Sequence, residues 1–132
     1  MNESESEFKS TDGFGRLAKA LKYSTQGLNH MVRHEAAFRQ ELIASCVLVP
    51  VALWLPLGTM EKLWLLGSVV LMLITEIVNS AIEAVVDRVS LERHPLAGRA
   101  KDMGSAAVFI SVIWIVVVWL SLAGPVLWRM LR

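Results

Sequence analysis

Four polar side chains recur along one side of an otherwise apolar segment, "EIVNSAIEAVVDR" at residues 76–88. On an α-helix, Glu76, Asn79, Glu83 and Asp87 fall within an arc of ~80°. A carboxylate at membrane depth costs several kcal/mol unless it is paired, protonated or hydrated. Ionisable residues inside a membrane therefore mark a functional site more often than a structural seam that pairs with Lys or Arg of another helix.

The stripe has two chemical uses that suit a reaction on phosphate. Carboxylates bind magnesium together with substrate phosphates, and a carboxylate near a hydroxyl acts as a general base. Basic residues in "GRAKD" (98–102) and in the segment 14–22 add groups that hold phosphate. This combination favours phosphoryl transfer to a molecule in the bilayer. The chain has no GxxxxGK[ST] motif, which excludes a P-loop nucleotide site. The residues alone leave ion or proton transport open.

Composition points to a membrane protein. The chain has 132 residues, of which 55% are hydrophobic, more than a small soluble domain can bury. The net charge of +1 gives no global attraction to nucleic acid, so no nucleic-acid partner is expected. The start, "MNESESEFKS", is polar and acidic, which predicts that internal spans rather than a cleavable signal peptide direct membrane insertion.

The elements that position the stripe follow from hydrophobic patterning. We predict an all-α membrane protein in which 1–132 form a single integral-membrane domain. A polar lead (1–12) precedes an amphipathic surface helix (13–34), whose apolar residues recur at helical spacing between basic residues. Three transmembrane helices follow, at 36–57, 63–88 and 101–128. Starting the first of them at residue 36 places Arg39, Gln40 and Glu41 near a membrane interface. The third run has no charged residue between Met103 and Trp128.

The distribution of basic residues predicts the orientation. The N-terminal region up to Arg39 holds six, and the loop from Arg88 to Lys101 holds four; three spans place these two regions on one side of the membrane. The other side has three, so the N-terminus is predicted to be cytoplasmic. Three short spans cannot cover an acidic stripe on every side, which independently favours self-association.

Three motifs resemble the prokaryotic integral-membrane diacylglycerol kinase family: "EAAFRQE" (35–41), "EIVNSAIEAVVDR" (76–88) and "GRAKDMGSAAV" (98–108). Their order and spacing agree with that family over nearly the whole chain from Phe14 onward. The resemblance implies a homotrimeric bundle in the bacterial inner membrane, each subunit with one surface helix and three spans. It also implies ATP-dependent, magnesium-requiring phosphorylation of diacylglycerol to phosphatidic acid.

The resemblance also implies roles for individual residues. Glu76 would be the general base on the lipid hydroxyl and Asn79 would orient the base or the substrate. Glu35 and Glu83 would bind the magnesium ion that bridges the nucleotide phosphates. Further contacts to ATP would come from Arg16, Tyr23, Glu92, Arg93, His94, Lys101 and Asp102. Lipid-side contacts would come from Gln40, Trp54 and Ser105. Asp87 would support the cation site or pair with a basic residue.

Two alternative functions remain at this stage. A related family phosphorylates undecaprenol with the same acidic core, although "GRAKDMGSAAV" favours diacylglycerol. A small proton or cation transporter, or a membrane adaptor, would also explain buried acids. Individual residues have structural alternatives as well: His94 as a loop residue, Lys101 and Asp102 as solvated charges, and Tyr23 and Trp54 as interfacial anchors.

Overall fold

The computed structural model describes residues 13–89 and 92–132, so the predicted polar lead lies outside the described residues. Four helices account for nearly all of them: α1 (Gly13–His34), α2 (Ala36–Trp54), α3 (Thr59–Val89) and α4 (Pro95–Met130). The described ranges contain no strand, and α2, α3 and α4 are long and apolar enough to cross a membrane. The predicted all-α class with three spanning helices is confirmed. The chain divides into two compact units between Glu35 and Ala36.

The first unit consists, within the described residues, of α1. Phe14, Leu17 and Leu21 lie at helical spacing and are 79%, 58% and 62% exposed. An apolar stripe on a helix with basic residues between is typical of a helix that lies in a membrane interface. Arg33 and His34 occupy the last turn, where positive charge complements the helix dipole.

A short turn joins α2 to α3 and satisfies the backbone groups that both helix ends expose. α2 ends at Trp54, before the predicted span end at residue 57, because Pro56 disfavours helical backbone at the residue before it. Lys62 Nζ donates to the Leu53 carbonyl at 2.7 Å. The Gly58 amide donates to Glu61 Oε2 at 2.7 Å. These contacts cap the two helix ends.

α4 begins six residues earlier than the predicted third span. His94 is its N-cap: the Leu96 amide donates to His94 Nδ1 at 3.2 Å. Pro95 occupies the first turn, where proline is tolerated because that backbone amide has no helical partner. The basic segment 98–102 therefore belongs to the same helix as the apolar run that follows it.

α3 packs mainly against α4 and to a smaller extent against α2. Near the α2–α3 turn the buried core contains Leu55, Leu65, Val118, Ala123 and Val126 with Ala52. A second cluster, Val69, Met72 and Ile115, follows along the same seam. As α3 numbers rise, their α4 partners fall, so the helices are antiparallel. This seam continues into the polar stripe and determines which α4 residues face it.

Candidate functional site

The polar stripe of α3 changes from buried to exposed along its length. Glu76 is 5% exposed. Asn79 and Glu83 are half-buried, and the Asp87 side chain is 54% exposed. One end of the stripe is therefore buried within the helices, and the other end is exposed on the surface of the single chain. An arrangement of this kind can join an apolar substrate to a water-soluble one.

Asn79 is hydrogen-bonded to Glu83, the next acid of the stripe. Its Nδ2 donates to Glu83 Oε1 at 3.2 Å, one helical turn away. A carboxylate only accepts hydrogen bonds, which requires the amide nitrogen, and not the oxygen, to face Glu83. The Asn79 Oδ1 is buried and has no hydrogen-bond partner among the described residues. A buried carbonyl oxygen without a hydrogen-bond partner is costly.

Glu41 is a further acid of the site, which sequence reasoning assigned only to the membrane interface. Its Oε2 is buried without a hydrogen-bond partner in the part of the chain that the structure describes. The carboxyl groups of Glu41 and Glu76 are close enough to repel each other. The signal was present in the periodicity of α2: Phe38, Glu41 and Ser45 lie on one helix face, and Phe38 and Ser45 are buried.

At the exposed end of the stripe, an ion pair connects α3 to α4. Lys101 Nζ lies 2.7 Å from Asp87 Oδ1. This agrees with the expectation that Asp87 pairs with a basic residue. The pair holds the Lys101 ammonium beside the stripe, so that a phosphate group entering there meets a positive charge already in place.

Four of the nine residues predicted to bind the nucleotide and its magnesium line one cavity of about 500 Å³ beside this ion pair. That volume is within the range of small-molecule sites. Polar and charged groups face it from the end of α3, the approach to α4 and the first turns of α4. The lining residues are Val86, Asp87, Glu92, Arg93, His94, Pro95, Ala97, Gly98 and Lys101. Asp102 and Ser105 are exposed on α4 and do not line it.

The two predicted lipid contacts of α2 lie at opposite ends of the helix. Gln40 is exposed in the second turn, and Trp54, which is 66% exposed, is the last residue. Fourteen residues of α-helix separate them by ~21 Å. Gln40 is next to Glu41 and hence belongs to the acidic end. Trp54 belongs to the end that carries the α2–α3 turn, and the structure does not bring it to the acids.

Three predicted residues belong to the first unit. Arg16 and Tyr23 are exposed on α1, seven residues apart, which places them on one face two turns from each other. Glu35 is half-buried, and its amide donates to the Met31 carbonyl at 3.0 Å, continuing the α1 hydrogen-bond pattern. Each therefore has a defined place within its own unit.

The acids are chemically suited to magnesium although they form no preassembled cage. Within residues 13–89 and 92–132, no three His, Cys, Asp or Glu side chains converge on one point. Magnesium is usually held by one or two carboxylates with substrate phosphates and waters, and does not need such a cluster. The Glu83 carboxylate is a hard oxygen donor, and one of its oxygens already accepts a hydrogen bond from Asn79 Nδ2. The residues therefore fit this ion.

Comparison with known proteins gives one consistent result. The family model described as "Prokaryotic diacylglycerol kinase" matches residues 22–123. The chain is 52% identical to a diacylglycerol kinase of Escherichia coli (strain K12) over 109 residues, 83% of this chain and 89% of the relative. It is 48% identical to one of Pseudomonas aeruginosa over 119 residues, 90% and 97% of the two chains. One of Helicobacter pylori is 41% identical over 107 residues, 81% and 84%. These matches confirm the predicted family and class of enzyme: the chain belongs to the prokaryotic diacylglycerol kinase family.

Proposed function

We propose that this chain transfers the γ-phosphoryl group of ATP to the primary hydroxyl of diacylglycerol in the membrane, forming phosphatidic acid and ADP. The family membership supports the reaction class. The observation that carries the proposal is the gradient along α3, from the buried Glu76 to the exposed Asp87–Lys101 pair. A lipid hydroxyl approaches from the shielded end and a nucleotide from the open end.

In the proposed reaction, Glu76 accepts the proton of the lipid hydroxyl. The oxygen of that hydroxyl forms a bond to the γ-phosphorus of ATP. The bond from that phosphorus to the β–γ bridging oxygen breaks, and ADP leaves. Such transfers depend on positioning and charge stabilisation more than on covalent chemistry by the protein.

Asn79 and Lys101 position the phosphate end of the reaction. Asn79 holds the Glu83 carboxylate through its Nδ2, and Lys101 neutralises charge on the phosphates. Glu92, Arg93 and His94 bind the nucleotide in the cavity that they share with Lys101. Magnesium, when bound by Glu83 and Glu35, would neutralise phosphate charge during transfer. Asp102, together with Arg16 and Tyr23 of α1, supplies the remaining contacts to ATP.

The lipid and the membrane complete the proposal. Gln40 and Ser105 contact the glycerol end of the substrate, and Trp54 contacts lipid from the opposite end of α2. The protein is a multi-pass protein of the bacterial inner membrane with a cytoplasmic N-terminus. It acts as a homotrimer: large apolar side chains stay exposed on all three spanning helices of the single chain, among them Ile43, Val70 and Ile113. Subunit contacts would cover part of that surface.

The test is phosphorylation in mixed micelles of detergent and diacylglycerol with labelled ATP and magnesium. Wild-type protein should produce labelled phosphatidic acid, and Glu76→Gln should reduce the rate by at least about a hundredfold, since a positioned general base contributes that much. Glu61→Gln is the matched control, because Glu61 lies in the same helix at the α2–α3 turn and a glutamine oxygen still accepts from Gly58. A Glu76→Gln variant with full activity would remove Glu76 from the mechanism.

The same assay decides between lipid alcohols. When the two lipids are supplied at equal mole fraction, diacylglycerol should be phosphorylated faster than undecaprenol. Faster phosphorylation of undecaprenol would replace the substrate while leaving the kinase chemistry in place. Family membership does not favour the transport or adaptor alternatives.

A further inference from the structure

Gly104 is buried in α4, next to Asn79 of the polar stripe. A methyl group built on its α-carbon would collide with Oδ1 of Asn79. It would also lie 3.4 Å from Asn79 Cγ and 3.8 Å from the Asn79 Cα. The carboxamide of Asn79 therefore occupies the space that any other residue at position 104 would need. Glycine is less favourable than alanine in a helix interior, so this position needs a specific reason for it.

The contact also limits where the Asn79 side chain can go. Its Oδ1 points at the α4 backbone around Gly104, and its Nδ2 reaches along α3 to Glu83. A larger residue at 104 would push the carboxamide away from α4. Because the amide is short and its Cα lies on a rigid helix, a displacement of Oδ1 also moves Nδ2 from Glu83.

We infer that Gly104 is a positioning residue of the phosphoryl-transfer site: its missing side chain lets the Asn79 carboxamide lie against α4, from where it holds the Glu83 carboxylate. The contact itself stands on geometry alone. Its importance for catalysis rests on the proposed function, in which Asn79 orients Glu83.

Two other glycines provide matched controls. A methyl group at Gly124 in α4 or at Gly67 in α3 would meet no atom within 4 Å. Alanine at either position should leave activity unchanged and leave thermal stability unchanged or raised, because alanine is the better helix former. Gly104→Ala should behave in the opposite way.

The first experiment measures thermal unfolding of the full chain in detergent for wild type, Gly104→Ala, Asn79→Ala and the double variant. Gly104→Ala should lower Tm by several degrees in the wild-type background. In the Asn79→Ala background the colliding amide is absent, so the same change should leave Tm unchanged or raise it. An equal loss in both backgrounds would overturn the inference, since the methyl group would then be meeting something other than Asn79.

The second experiment measures kinase activity of variants that remain folded. Gly104→Ala should lower kcat by about a hundredfold, the effect of displacing a positioning group by about an ångström. It should also raise the magnesium concentration needed for half-maximal rate, which a loss of folded protein does not change. Full activity with an unchanged magnesium requirement would overturn the inference. If Asn79→Ala alone keeps full activity, the proposed role of Asn79 is wrong, and the Tm comparison still decides whether Gly104 sets its position.

Discussion

The two ends of the α3–α4 pair are held together by different forces. Near the α2–α3 turn, Leu65 packs in one cluster with Val118, Ala123 and Val126, and these side chains are at most 8% exposed. At the other end the same two helices meet through an amide against a glycine and through the Asp87–Lys101 ion pair. The first end contains contacts that stabilise, and the second contains groups whose hydrogen-bonding capacity is only partly used.

The difference indicates where the molecule can do chemistry. Two of the buried polar atoms without partners in the described ranges, Glu41 Oε2 and Asn79 Oδ1, lie at the polar end, while Trp119 Nε1 lies near the apolar end. Unpaired buried polar atoms lower stability and persist where a site requires them. The apolar packing at the turn supplies the rigidity that holds these groups in position.

The largest effect after loss of Glu76 is expected from Lys101→Met. The change removes the ammonium that faces the cavity, and we expect a fall of about a hundredfold in kcat/KM for ATP, comparable to the loss of a transition-state charge contact. Lys62→Met, at the opposite turn, is the matched control and should leave kcat/KM for ATP near wild type. Equal losses in both variants would mean that the lysine acts on folding and not on the nucleotide.

Leu65→Ala tests the apolar end. Leu65 is fully buried, and truncation leaves a cavity that we expect to reduce the free energy of unfolding by about 2 kcal/mol, the low end of the range for soluble cores, because lipid replaces water as the solvent. Activity per folded molecule should not change. Leu63→Ala, at a position 56% exposed in the same helix, should cost much less. Denaturant titration in micelles measures both, and a drop in kcat for Leu65→Ala would show that the two ends are not separable.

Sequence reasoning located the elements and the stripe because periodicity and hydrophobic length are local properties. Glu76, Asn79 and Glu83 share one face of a helix whatever the neighbours are. Gly104 was missed for the opposite reason: its role depends on the register between α3 and α4, which no single helix encodes. His94 illustrates a third case, since its capping of α4 becomes visible only in the backbone that follows Pro95.

Glu41 shows that part of what was missed was readable. Its position between Phe38 and Ser45 on the buried face of α2 follows from helical spacing, but the emphasis on span length placed the residue at an interface. A charged residue at the end of a span is ordinarily solvated, so Glu41 was expected at the interface although its spacing places it on the buried face. One carboxylate oxygen of Glu41 is buried, so the residue lies on the buried face of α2.

Glu41→Gln sharpens the polar end of the comparison. The change keeps the size of the side chain but replaces a buried carboxyl group close to the proposed base, and we expect kcat to fall by about tenfold, less than the full contribution of a general base. KM for ATP should not change, because the nucleotide cavity contains neither residue. Glu61→Gln, at the α2–α3 turn of the same protein, serves as the control for loss of a carboxyl group away from Glu76. A fall in the affinity for ATP without a change in kcat would contradict the assignment.

The smallest expected effect comes from the boundary between the two ends, where Thr75 Oγ1 donates to Ser111 Oγ at 2.9 Å and Ser111 donates on to the Val108 carbonyl. Thr75→Val keeps the shape of the side chain and removes the donor. Hydrogen bonds between membrane helices are worth about 0.6 kcal/mol on average, so the loss of unfolding free energy should be of that size and kcat should be unchanged. Thr25→Val is the control, since the Thr25 hydroxyl donates to Leu21 within its own helix. A loss of activity in Thr75→Val at unchanged stability would contradict this boundary. The functional region would then extend past Glu76 toward the α2–α3 turn.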